Sequence, residues 1–158
     1  MRNCILTALI ALVALASFGC SNDGKQFAAT TDRIAGYVST GLTLVDQQTS
    51  TGLMSRDTGA AIVVALRSVN TLNAQVIEEG KRYVDPTTGN INLTADGKVK
   101  IVDILNSSTQ IAVTLTQDDR ILKLSQTQRE QILGIIGGIN ATTSSLIQLV
   151  KAAKEAKK

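Results

Sequence analysis

Chemistry in a folded chain starts from its nucleophiles, bases and ligand atoms, and this 158-residue chain carries few of them. It has no histidine. That removes Ser-His-Asp and Cys-His catalysis and the commonest zinc ligand. A Ser-Lys arrangement remains formally open, but no local pattern points to one. Two acidic pairs occur, Glu78-Glu79 and Asp118-Asp119. Neighbouring carboxylates do acid/base work only where a pocket perturbs them. Lys81 and Arg82 follow the first pair and Arg120 follows the second, so both read as solvated. Asp85, Asn90, Asn92 and Asp96 surround a glycine-containing stretch, and oxygen ligands at that spacing could hold calcium. The register of a calcium loop and its closing Glu are missing. Turn formation and helix capping explain these residues more simply, so no metal and no cofactor is expected.

The remaining reactive groups are Cys4 and Cys20. Arg2 is followed by an apolar run from Ile5 to Phe18, about 14 residues long, which suits the core of a signal peptide and is short for a spanning helix of ~20. The run closes on Ala16-Ser17-Phe18-Gly19-Cys20, and polar residues begin at Ser21. This stretch resembles the lipobox of bacterial lipoproteins. Gly19 matches that pattern, while Ser17 stands where Leu is usual and Phe18 is bulky. The resemblance covers only the leader. It implies that Ser17, Phe18 and Gly19 are read by the signal peptidase, that residues 1–19 are removed, and that the Cys20 sulfur carries a diacylglycerol. Cys4 leaves with the leader, so Cys20 has no disulfide partner in the mature chain. Each buried CH2 of such an anchor contributes ~0.8 kcal/mol. Ser21 rather than Asp after the cysteine favours the outer membrane, facing the periplasm.

These assignments need a domain to carry them. Residues 20–26 read as a lipidated cysteine and a short polar tether, and 27–158 as one domain. Aromatic residues are 3% and Trp is absent, so the core must be aliphatic. Over 27–48, Phe27, Ile34, Val38, Leu42 and Val45 recur at helical spacing. Over 56–80, Ile62, Leu66, Val69 and Val76 do the same, with Ser55 as N-cap and Gly80 as a stop. Residues 81–97 carry turn chemistry around Asp85-Pro86 and predict a small hairpin or a plain loop. A third helix starts from Thr94 or Asp96 and ends between Gln117 and Leu124. A fourth opens at Ser125, with Gln128 completing a capping box. Ile132, Leu133, Ile135, Ile136, Ile139, Leu146 and Val150 give its apolar face. Four amphipathic segments with mostly short connections predict an all-α, antiparallel four-helix bundle.

Gly134 and Gly138 stand at GxxxG spacing inside 132–150, which a lysine-rich tail follows. An N-terminal lipid with a C-terminal span resembles the one-chain spanins of some phages, which link two membranes during lysis. Asn140, Thr142, Thr143, Ser144, Ser145 and Gln148 burden that segment and mark a polar face, which favours a bundle helix. The net charge of +3 falls to +2 without Arg2. With no aromatic interleaving, nucleic acid is not an expected partner. The sequence therefore predicts a non-enzymatic, lipid-anchored protein of the cell envelope, serving binding, scaffolding or envelope maintenance. Its expected partners are a membrane and an envelope protein. A spanin-like lysis protein and a carrier of lipid or another apolar ligand are the alternatives.

Overall fold

The computed structural model describes residues 23–153. Cys20, Ser17, Phe18 and Gly19 lie outside the described residues, as do Lys154, Lys157 and Lys158. Five helices follow in order: α1 Asp23–Ser50, α2 Arg56–Lys81, α3 Ala95–Thr116, the single turn α4 Asp119–Leu122, and α5 Gln126–Ala152. The four long helices pack as a ring, α1 on α2, α2 on α3, α3 on α5 and α5 on α1. The chain is thus the all-α bundle its periodicity predicts.

Side-chain neighbours fix the antiparallel sense. Gly80 lies against Phe27, Gly41 against Leu66 and Gly59 against Thr49, so α2 runs back along α1. Gln48 donates to Gln131 at 2.8 Å and Gly138 lies against Tyr37, so α5 also opposes α1. The start of α1, the end of α2, the start of α3 and the end of α5 therefore share one end of the bundle. We call it the near end, and the opposite one the far end.

The helix starts follow local rules. The hydroxyl of Ser55 accepts from the Thr58 amide, and that of Thr94 from the Gly97 amide. Ser125 and Gln128 form the full reciprocal box. The first helix begins at Asp23 rather than Phe27, so part of the polar stretch read as tether is helical. Asp23 in its first turn suits the positive end of the helix dipole. Within the stretch 81–97, residues 82–94 form a loop pinned by an antiparallel bridge, Val84 with Ile91, while the two ends belong to α2 and α3; no strand occurs among the described residues. Gly89 turns it at φ +67, a conformation glycine adopts without strain. Ile91 and Leu93 from this loop are buried at 2% and 0% exposure.

Burial sharpens the sequence pattern into a seven-residue repeat. In α1 the buried positions are Phe27, Thr31, Ile34, Val38, Gly41, Val45 and Gln48, in steps of four and three. In α5, Ile132, Ile136, Ile139, Thr143, Leu146 and Val150 step likewise. This is the seam of a left-handed bundle. Leu42 is only half-buried and Leu133 is exposed, because neither falls on the seam. Polar residues sit in it: Thr31, Gln48, Asn73, Ser108 and Thr143. Asn73 donates across the interface to the Thr31 carbonyl at 2.9 Å. A polar seam residue lowers stability but favours one pairing over its rivals.

All three aromatic rings among the described residues rest on a helical glycine. Phe27 covers Gly80, Tyr37 covers Gly138 and Tyr83 covers Gly97. A Cβ at any of the three would lie within 2.6 Å of a ring atom. At Gly80 and Gly138 the helices approach closely because glycine leaves the space, and at Gly97 it is the loop that closes on α3.

Candidate functional site

Two places on the bundle gather side chains that go beyond packing. The first is a groove toward the far end, between α2 and α3. Its walls are short residues, Ala60, Ala61, Ala65 and Ser68 on α2 and Ser107 and Thr114 on α3. Side chains this small cannot fill the space between two helix ridges. An open trough of about 1000 Å³ results, with Ile111 and Leu115 contributing to it. Val64 lines it and is 65% exposed. A β-branched apolar residue left that open on a helix face is surface available to a ligand or partner.

Asp57, Asp118 and Arg120 close one end of the groove. Asp118 caps α4 by accepting from the Arg120 amide at 2.9 Å. The Arg120 side chain returns two further bonds, Nε to Oδ1 at 2.8 Å and Nη2 to Oδ2 at 2.6 Å. These bonds from the Arg120 guanidinium, then its amide, hold the Asp118 carboxyl down to about 2. The group stays ionised at neutral pH and serves as a fixed acceptor, not a proton donor. Asp118 is thus half-buried and fully engaged, where its sequence neighbours suggested simple solvation.

The second place is at the near end and centres on Glu79. Its side chain is 7% exposed. Lys100 Nζ donates to Oε2 at 2.7 Å, Arg82 Nη1 lies 3.1 Å from the same oxygen, and the Tyr83 hydroxyl donates to Oε1 at 3.3 Å. The Lys100 hydrogen bond does most to hold this carboxyl below its ordinary range. Glu79 therefore differs from Glu78, which is exposed and pairs with Lys81 at 2.7 Å. The solvated reading holds for Glu78 and fails for Glu79. The missed signal is positional: Glu79 follows Val69, Asn73 and Val76 along the buried face of α2. A notch of about 270 Å³ beside it is lined by Gln75, Arg82 and Ile104 among others.

The residues weighed for calcium do not converge. Asp85 Oδ1 accepts from the amides of Thr87 at 2.7 Å and Thr88 at 3.0 Å, an Asx turn that lowers its pKa. Asn90 and Asn92 take part in the loop through their backbone, and Asp96 lies in the first turn of α3. Among the described residues no group of three His, Cys, Asp or Glu side chains is arranged to hold a metal ion. The GxxxG glycines also part company. Gly138 receives Tyr37, while Gly134 has nothing within 4 Å of where a Cβ would stand.

Among the described residues, two helices, α2 and α5, could cross a membrane by length and composition, with mean hydropathy of 1.3 and 1.4 over their most apolar stretches. Both instead contribute buried stripes to one core. Set against known protein families, curated proteins and solved structures, the chain matches none of them.

Proposed function

We propose that this chain is a bacterial lipoprotein, anchored to the cell envelope through Cys20, whose helical bundle binds or scaffolds and does not catalyse. The observation that carries the anchor is the leader: Arg2, an apolar run, Gly19-Cys20, then polar residues from Ser21. Ser21 favours the outer membrane, with the bundle in the periplasm. The lack of histidine supports a binding role. So do the two most engaged carboxylates, Glu79 and Asp118, which are held ionised by donors rather than raised toward neutral pH. The test is radiolabelled palmitate. Wild-type protein takes up label and Cys20→Ala does not. Absence of label in wild type, or equal label in the variant, defeats the reading.

The α2–α3 groove favours a second reading, in which the anchored bundle carries a lipid or another apolar ligand. A fluorescent fatty-acid analogue should then bind saturably and lose affinity in Val64→Asp. Binding that does not saturate, with no ligand retained in native mass spectrometry, removes this reading. The spanin-like alternative requires α5 to leave the core, although Ile132, Ile139 and Leu146 are buried in it at 2% exposure or less. Alkaline extraction of Cys20→Ala distinguishes it. Release into the soluble fraction agrees with a bundle, and retention agrees with a span.

A further inference from the structure

We propose that the middle of the core is an internal water-binding site, formed where Asn73 of α2, Ser108 of α3 and Thr143 of α5 come to one level of the bundle. The site is independent of the anchor and of the groove.

Contacts along the helices fix the level of each side chain, because every residue of a helix advances the same 1.5 Å along its axis. Between α1 and α2, Phe27 against Gly80 and Gly41 against Leu66 both set Asn73 beside Ile34. Asn73 Nδ2 accordingly donates to the Thr31 carbonyl at 2.9 Å, since a helical carbonyl points one turn onward, toward Ile34. Between α1 and α5, Gln48 with Gln131 and Tyr37 with Gly138 bring residues 141–145 to the level of Ile34. The buried residue of that turn is Thr143. Between α3 and α5, Lys98 Nζ donates to the Ala153 carbonyl at 2.6 Å, and Ser108 and Thr143 each stand ten residues from that contact.

The three polar side chains are closed off from outside, with exposures of 4% for Asn73, 3% for Ser108 and 0% for Thr143. Above and below them the seam is aliphatic: Val69 and Val76 on α2, Leu105 and Ala112 on α3, Ile139 and Leu146 on α5. Asn73 has its nitrogen committed to α1, which turns its oxygen to the other side. That Oδ1 and the Thr143 hydroxyl oxygen find no hydrogen-bond partner among the described residues. Buried polar atoms left unpaired are costly, and an enclosed water is the common remedy. Such a water holds about three hydrogen bonds. It would donate to Asn73 Oδ1 and pair with the Thr143 hydroxyl, which can give or accept. Ser108, whose short side chain reaches least far into the level, supplies the third group.

The test counts long-lived internal waters by oxygen-17 relaxation dispersion on the full chain in detergent micelles, with helicity checked by circular dichroism. Thr143→Val should hold about one such water fewer than the unaltered protein. Thr143→Ser, which keeps the hydroxyl, should retain it. Thr142→Val is the control, because the Thr142 hydroxyl already donates to the Gly138 carbonyl at 2.7 Å, and its count should not change. In the unaltered protein, proton spectra should also show a nuclear Overhauser contact between water and the Asn73 side-chain amide. An equal count in Thr143→Val, a loss in Thr143→Ser or Thr142→Val as large as in Thr143→Val, or no water contact at the Asn73 amide overturns the proposal. The last measurement needs no variant, so it decides the matter even if Thr143→Val does not fold.

Discussion

The near end of the bundle is stoppered by a loop that drives Ile91 and Leu93 into the core, whereas the far end has Met54 and Ile121 as its plugs and leaves a groove beside them. At the near end the buried charge, Glu79, is surrounded by donors from the C-cap of its helix, from the following loop and from α3. At the far end the charged pair, Asp118 with Arg120, serves a single turn of helix and stands at the mouth of apolar surface. One end spends its polar groups on closing the fold. The other holds apolar side chains open to solvent, and this is where a binding function has room. The difference comes from side-chain size. Ala60, Ala61 and Ala65 leave a gap that larger residues would have filled.

The largest predicted effect breaks the stopper. Leu93→Ala deletes a side chain with 0% exposure and should cost ~2–5 kcal/mol, read as a shift in urea midpoint. A loss below 1 kcal/mol would mean the loop is not part of the core. Next come the glycines, where the ends of the same comparison give opposite signs. Gly80→Ala forces a Cβ against the Phe27 ring at 2.5 Å and should destabilise by ~1–3 kcal/mol. Gly134→Ala meets open space within a helix and should stabilise by up to ~1 kcal/mol.

Acid titration separates the two carboxylates. Both have folded pKa values below their ordinary ones, 4.5 for Glu79 and 3.8 for Asp118. Each thus contributes stability above its ordinary value and loses it as pH falls through the lowered one. Thermal midpoints should drop between pH 5 and pH 2, with Asp118 losing its share last, near about 2. Glu79→Gln should flatten the upper part of that curve, and an unchanged curve would show that the Lys100 contact is not formed in solution. The smallest effect on stability belongs to the groove. Val64→Asp, at 65% exposure, should stay within ~0.5 kcal/mol while abolishing apolar ligand binding. A large loss of stability would mean Val64 is part of the core after all.

What was legible in the sequence is what local chemistry controls. Ser55, Thr94 and Ser125 cap their helices through amides three positions on, and that spacing is visible without tertiary structure. The aliphatic stripes announced a bundle because every apolar face needs a partner. The buried carboxylate and the polar seam were hidden for the opposite reason. Glu79 depends on Lys100, which belongs to another helix, and Asn73 depends on a carbonyl of α1. The groove was hidden too, since Ala60, Ala61 and Ala65 look like ordinary helix formers until α3 is set beside them. Ser17, Phe18, Gly19 and Cys20 were read from the leader pattern alone.

The rings seated on glycines bear on how the helices find their places. A seven-residue seam is nearly degenerate, because sliding one helix by a heptad restores almost the same apolar contacts. The glycine notches do not repeat at seven. Moved by one heptad, Phe27 would meet Asn73 instead of Gly80, and Tyr37 would meet Gln131 or Ser145 instead of Gly138. Every such slip drives a ring into a side chain. The aromatic residues act as alignment keys, and each works only at the notch cut for it. A chain otherwise built from interchangeable aliphatic rungs thereby has one setting in which α1 can close on both of its neighbours.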